Sequence, residues 1–503
     1  MAKYGLPKLA YNWISTIGAI IAGVLGSIEL TLIGIDMIFG ITTQYLGILI
    51  YLVIPPIIIL GLILIPIGMY RQWRIVQKTG ELPSANWPVL DFNQKSQRNA
   101  GAIFVFGTAL FIVMSAAGTY QAYHFSESVE FCGTTCHSVM KPEYTTYRNS
   151  PHARVSCTAC HVGEGAGWYT RSKLSGAYQV YAVTVNNYPR PIPTPIENLR
   201  PAQETCERCH WPEKFFGSQQ HQFAHYMYDE QNSGWLYNML LKTGGSHPGT
   251  GLMHGIHWHI DVDTKVEYIA RDKKRLDIPW IRVTDKLTGK TTVYQDSENP
   301  LSSEELASAK PRIMDCMDCH NRPSHIFRSP DYTIDQLLWA GKLPQSLPEI
   351  KRVAVEAMNG QYSTENEALA KIAESITEFY GANYPQLVEK DSAAIARAIL
   401  EVQNAFSGNI FPEMKAKWSA YPNHIGHFTD KGCLRCHDGK HIAESGSAVS
   451  HDCNACHIIL AQGRPDSLMN STSAEGLEFI HPVDIGDVWK ETGCYECHTG
   501  VQP

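Results

Sequence analysis

The chain contains fourteen cysteines, and each belongs to a pair followed directly by histidine. Six pairs read Cys-x-x-Cys-His: Cys157, Cys160 and His161; Cys206, Cys209 and His210; Cys316, Cys319 and His320; Cys433, Cys436 and His437; Cys453, Cys456 and His457; Cys494, Cys497 and His498. The remaining motif, FCGTTCHSVM, is stretched: three residues separate Cys132 from Cys136, His137 follows, and Met140 lies three positions on. A disulfide framework gives no reason for a histidine after every second cysteine, and zinc ribbons rarely add one to each pair. Two thioethers plus a proximal imidazole are what hold c-type haem. Seven motifs that consume all the cysteines therefore predict seven covalently bound haems, with His161, His210, His320, His437, His457 and His498 as proximal iron ligands. At the stretched motif the extra residue changes the loop under the ring, so the ligand is His137 or, on the same face of a helical turn, Met140. Methionine ligation would raise the potential of that haem; the alternative is that Met140 only packs on the porphyrin.

Low-potential electron-transfer haems commonly carry two histidines, and 21 are available for seven irons. His325 in CHNRPSH, His441 in CHDGKH, His451 in SHDCNACH and His152 in NSPHARVSC lie close to a motif. His424 and His427 in PNHIGH, and His481 in FIHPVD, sit in turn-like surroundings. His254, His257 and His259 form a cluster in which 257 and 259 share a strand face, one to bind iron and the other to face solvent. All of these are candidate distal ligands. His221, His225 and His247 are weaker ones.

The elements that position this chemistry begin in lipid. Residues 13–39 and 45–70, and roughly 101–120, are apolar runs of the ~20 residues a bilayer span needs. Lys3 and Lys8 precede the first run, and Arg71, Arg74, Lys78, Lys95 and Arg98 lie between the second and third, whereas the GITTQ hairpin is uncharged. The positive-inside rule gives a cytoplasmic N-terminus and places every haem motif on the far side, the periplasm, of a bacterial inner membrane. Glu29 and Asp36 share one face of the first span, ~10 Å apart along its axis. They serve proton movement or a partner subunit, or else Asp36 rests among headgroups and Glu29 bonds to a neighbouring helix. Pro55, Pro56 and Pro66 are expected to bend the second span.

Beyond the membrane, GIHWHIDVD alternates like a strand, and IPWIRVTDKLTGKTTVYQ reads as a hairpin turning at Thr288 and Gly289. Helical patterns cover 363–380 and 389–406, with breaks at Gly381 and Gly408. Haem-flanking segments show little apolar periodicity, as expected where porphyrins fill the core. The expected fold is a membrane-anchored multihaem cytochrome c: three transmembrane helices and a mostly α or irregular periplasmic haem domain with a small β insert. Its parts are a membrane domain over 1–122, haems one to three over 123–210, the β insert over 211–310, haem four over 311–330, a helical region over 331–428, and haems five to seven over 429–503. A net charge of −7 without a dense basic run excludes a nucleic-acid partner.

Only about a dozen residues separate the third span from Cys132, so the first haem lies at the membrane surface, where a lipid-soluble quinol could reduce it. His124, Glu127 and Glu130 lie in that interval as candidate proton acceptors. FCGTTCHSVMKPEY, NSPHARVSCTACHVG, WYTRSKLSGAYQ, ETCERCHWPEKF and MDCMDCHNRPSH resemble the NapC/NirT/NrfH family of membrane-anchored quinol dehydrogenases. The whole chain resembles the seven-haem inner-membrane cytochromes of metal-reducing bacteria, which implies oxidation of menaquinol and delivery of electrons to a periplasmic multihaem cytochrome in anaerobic or extracellular respiration. The resemblance further implies that Met140 ligates the membrane-proximal haem, that Lys173 belongs to the quinol pocket, that Gln179 occupies the pocket's acidic position, and that His325 ligates a haem other than its neighbour. Met140 is one residue later than in most relatives, and Gln179 lacks a carboxylate. Two rival functions are a terminal reductase of nitrite, hydroxylamine or a sulfur oxyanion, with one open iron, and a relay subunit of a larger membrane complex, with other subunits or further copies as partners.

Overall fold

In a computed structural model of the chain, the structure describes residues 8–39, 53–80, 91–135, 137–163, 165–196, 199–215, 217–245 and 255–501. Cys136, His247, His254 and all of residues 40–52 fall outside them, as do the side chains of Asp36 and His137. The described chain divides into two compact units, Met1–Glu127 with His161–Val180, and Ser128–Cys160 with Tyr181–Pro503.

The first unit contains α1 (Trp13–Phe39), α2 (Ile54–Thr79), α3 (Lys95–Ser126) and most of α5 (Ala166–Thr184). Trp13–Leu32 and Ile54–Thr79 are long and apolar enough to cross a bilayer. The third expected span lies inside α3. Helices α1 and α2 pack through small residues: a Cβ on Gly18 would collide with the Gly61 carbonyl, and one on Gly68 would strike Ser15 and Asn12. Ser15 Oγ donates to the Ile65 carbonyl at 2.8 Å, beside the helix-interior Pro66. Pro55 and Pro56 occupy the first turn of α2, where a missing N–H costs nothing, so they set its start and do not bend its middle. The helix then runs past the expected end at residue 70, through Arg71 and Arg74, to Gly80 in the left-handed conformation.

The second unit opens at the stretched motif. Phe131–Thr135 is a π-helical turn, which accommodates one extra residue, and it leads into α4 (His137–Arg148). Gly133 is obligatory there, because a Cβ would collide with the Tyr144 ring. The helical core follows motif four: α6 (Pro330–Trp339), α7 (Ile350–Met358), α8 (Glu365–Asn383) and α9 (Ser392–Asn409). Ile334, Leu343, Leu347, Ile350, Ile372, Ile376, Tyr380 and Phe406 are fully buried in it, each contributing about 1.5–3 kcal/mol. Ser329, Thr364 and Asp391 cap the N-termini of α6, α8 and α9. The helices run two residues and one residue beyond the expected breaks at Gly381 and Gly408. A glycine in a last turn costs only about 1 kcal/mol, and α8 ends where Tyr384 precedes Pro385.

Two antiparallel sheets complete the unit. One has the order β1 (Gln219–Tyr226), β2 (Gly234–Leu241), β8 (His457–Arg464), β9 (Ser467–Asn470). The other runs β6 (Arg312–Ile313), β3 (Thr264–Ile269), β4 (Trp280–Asp285), β5 (Thr291–Asp296), β7 (His441–Ala443). The expected hairpin is present as β4 and β5, with Gly289 at φ 70°. Strands from the 211–310 segment pair with strands from the last three-motif region, Leu241 opposite His457 and Asp296 opposite His441. The insert thus shares both sheets with the C-terminal region, which adds β8 and β9 to one and the edge strand β7 to the other.

The expected strand at GIHWHIDVD is instead a 3-10 turn, Ile256–Ile260, and β3 begins only at Thr264. Gly255 allows this turn to press on the backbone of Lys242 and Gly244, which any Cβ would strike.

Candidate functional site

Burial and local hydrogen bonds bring five of the motif histidines opposite a second imidazole. Ring centres are 6.2 Å apart for His210 and His152, 6.4 Å for His320 and His257, 5.7 Å for His437 and His259, 6.2 Å for His457 and His427, and 5.9 Å for His498 and His481. Two imidazoles on one iron should lie about 6.2 Å apart, from metal–nitrogen bonds of about 2 Å and roughly 1.1 Å from each nitrogen to its ring centre. The pairs fit haem iron. Their second nitrogens are oriented as well: Nδ1 donates to a backbone carbonyl in His257 (Thr243, 2.5 Å), His259 (Ile256, 2.7 Å), His437 (Ser450, 2.6 Å) and His481 (Val483, 2.7 Å). That bond fixes the tautomer and leaves the Nε2 lone pair for metal. Burial pulls the pKa of His259, His320, His427, His457 and His498 down, which keeps them neutral as ligation requires.

Other expected ligands are arranged differently. Both ring nitrogens of His441 are engaged, Nδ1 with Asp438 at 2.9 Å and Nε2 with the Ile278 carbonyl at 2.7 Å, so it has no lone pair for iron. Burial opposes its protonation, but Asp438 and the carbonyl outweigh burial and raise its pKa. His424 is buried with Nδ1 on the Asp318 carbonyl at 3.0 Å and Arg435 beside it. Burial, then that guanidinium, draws its pKa down to about 4. His325 Nδ1 donates to the Glu143 carbonyl at 3.0 Å, and Arg322 clasps the Glu143 carboxylate at 2.9 and 3.0 Å. His451 lies against Gly439.

The cysteines show how motifs succeed one another. In a haem-loaded protein these thiols are thioether sulfurs, so their mutual effects mark proximity rather than acid–base function. A hydrogen bond to Cys132, then burial, raises the pKa of Cys157. Burial, with Cys206 and Cys209 nearby, raises that of Cys160. Cys206 hydrogen-bonds Cys316. Cys319 has Cys433 and Cys436 as neighbours, Cys456 has Cys433, and Cys494 has Cys453. Each motif therefore meets the next one along the chain.

A buried carboxylate braces motif four. Asp318, between its two cysteines, accepts from Tyr268 at 2.7 Å, Arg275 at 2.5 Å and Arg312 at 2.8 Å, and its other oxygen caps Asp315 N at 2.8 Å. Sequence reading missed these partners, since Tyr268 and Arg275 come from the β insert.

In the first unit, Lys173 Nζ lies 3.7 Å from Glu127 Oε1 and 5.0 Å from the centre of the Tyr169 ring. Tyr123 Oη donates to Glu127 Oε2 at 3.1 Å, and His124 packs edge-on against Tyr120 at 4.3 Å. Lys173 and Glu127, singled out separately from the sequence, are thus neighbours. Tyr123 and Tyr169 were missed; both stand four residues before the partner they touch, a helical spacing that could have revealed them. Gln179 is exposed and hydrogen-bonds Ser175 on its own helix at 3.4 Å. Glu130 belongs to the second unit and acts there on Tyr147.

Paired imidazoles at iron-spanning distance, thioether-forming cysteines meeting motif by motif, and apolar helices define a membrane-anchored multihaem c-type cytochrome of electron transfer. Residues 93–192 match the NapC/NirT cytochrome c family, N-terminal region, and the chain belongs to that family. It is 45% identical over 490 residues to the cytochrome c-type protein ImcH of Geobacter sulfurreducens, covering 97% of this chain and 95% of that relative. No solved structure matches it.

Proposed function

We propose that the protein is an inner-membrane menaquinol dehydrogenase that carries seven haems and hands electrons to a periplasmic cytochrome. Proximal ligands are His161, His210, His320, His437, His457 and His498, with Met140 or His137 at the first motif. His152, His427 and His481 serve as distal ligands to His210, His457 and His498, on the strength of their ring spacing. Haems held by these residues would supply the one-electron chemistry, and the cysteine motifs that would carry them adjoin one another in chain order. Two imidazoles at each of these sites would fill both axial positions, which favours electron transfer over reduction of a substrate there.

The observation that carries the quinol reading is the cluster of Lys173, Glu127, Tyr123 and Tyr169, placed at the end of α3 five residues before Cys132. Oxidising a quinol removes two electrons and two protons. The Lys173 ammonium donates to a quinol oxygen and stabilises negative charge on it as the proton leaves. Glu127, held by Tyr123, accepts that proton, and so supplies the carboxylate that Gln179 does not. Helix α3 is the third span, and the positive-inside distribution of Lys and Arg puts the cluster at the periplasmic face.

Purified protein in detergent, mixed anaerobically with a menaquinol analogue, should show haem reduction that a quinol-site inhibitor blocks. Absence of reduction by any quinol, with chemically reducible haems, would favour a relay subunit. A high-spin haem that shifts on adding nitrite, with turnover, would favour the terminal reductase.

A further inference from the structure

Histidines 257 and 259 stand two residues apart in the 3-10 turn Ile256–Ile260, between the third and fourth haem motifs. Residues i and i+2 of such a turn project about 120° apart, which turns the two rings toward different neighbours. They face different motifs: His257 lies parallel to His320 of motif four, 6.4 Å away at 7°, and His259 lies 5.7 Å from His437 of motif five. Both residues are half-buried. Phe215 stacks on His257 at 4.2 Å, and both Nδ1 atoms donate to backbone carbonyls, which leaves both Nε2 atoms for ligation.

We infer that this single turn supplies the distal ligands of two successive irons, His257 to the haem of motif four and His259 to that of motif five. The inference deepens the seven-haem reading above and rests on it. Motif four ends the part of the chain that resembles the four-haem family, and motif five begins the added C-terminal part. The turn is therefore the junction through which electrons leave the first part for the second, with the two ligating residues separated by only about 4 Å of helical rise. The β insert exists, on this view, to hold that junction. Ile256 N donates to the Lys242 carbonyl at 2.7 Å, and Lys242 N donates to the Cys456 carbonyl of motif six at 2.9 Å, so the end of β2 fastens the turn to the C-terminal motifs. Cys319 and Cys433 are neighbours across the same junction.

The test uses full-length holoprotein with His257→Met, His259→Met and the double substitution, alongside exposed His221→Ala as control. Intact mass and pyridine haemochrome come first. Fewer than seven haems in the wild type would overturn the broader reading and leave the ligand question separate. With seven present, each single methionine variant should keep all its haems and move one haem's amplitude to higher potential in a redox titration, and the double variant should move two. His257→Gly and His259→Gly should each convert one low-spin haem to high-spin by EPR, and added imidazole should restore it. A single variant that leaves the EPR spectrum and titration unchanged, or two variants that alter the same haem, would overturn the assignment. Should a methionine variant fail to accumulate, imidazole rescue of the glycine variant decides in its place.

Discussion

Replacing Lys173 with alanine should separate quinol chemistry from haem chemistry. The ammonium lies 3.7 Å from Glu127 Oε1, too far for a strong hydrogen bond, and its side chain is about 40% exposed. The pair itself contributes no more than about 1 kcal/mol to stability, so Lys173→Ala should fold and load haem normally. What the substitution removes is one charge-assisted hydrogen bond to a quinol oxygen, worth about 1.5–3 kcal/mol. At about 1.4 kcal/mol per tenfold, kcat/KM for a menaquinol analogue should fall about 10- to 150-fold. Anaerobic stopped-flow, following the reduced haem α-band, measures it directly, with dithionite reduction as the internal standard. Glu127→Gln should slow the same phase, because the proton acceptor is lost. Were Lys173→Ala reduced by quinol as fast as the wild type, the placement of quinol beside this lysine would be wrong.

Other outcomes follow from buried groups. His424, free to protonate near pH 6.5 when unfolded, is held neutral down to about 4 when folded, by burial and then Arg435. The unfolded chain binds the extra proton between these values, so stability should drop by about 3 kcal/mol as pH falls from 6.5 to 4, and in His424→Gln that part of the acid dependence of urea unfolding should vanish. Lys351 is fully buried, with Asp331 Oδ1 at 2.6 Å and Asp335 alongside. Lys351→Met leaves those carboxylates without their cation and should cost about 3–5 kcal/mol in denaturant unfolding; a loss below about 1 kcal/mol would show that the charges are otherwise compensated. Met140→His should lower the potential of one haem in a redox titration if Met140 ligates, whereas an unchanged titration would assign it to packing.

The cysteine–histidine motifs, the apolar runs and the charges between them could be read locally, because thioether attachment and bilayer insertion depend on residues adjacent in sequence. The same holds for the looseness at FCGTTCH, which becomes a π-helical turn, and for the helices of the region after motif four, although core burial carries those helices slightly past their glycines. Distal pairing was not legible. His259 stands opposite His437 across 178 positions of sequence, as counted from their numbers, through strands that pair the insert with the C-terminal region. Alternation at GIHWHIDVD suggested a strand with one ring in solvent. Tertiary contact decided otherwise: Gly255 admits the turn onto the Lys242 backbone, and two carbonyls hold both rings toward different motifs. His441 and His424 show the converse. A place beside a motif for His441, and turn-like surroundings for His424, suggested ligation, yet the Ile278 carbonyl engages the first and the Asp318 carbonyl holds the second in a buried position. Sequence determined what could bind, through short-range covalent chemistry; only the folded chain, by fixing which lone pairs remain unshared, decided which imidazoles face one another.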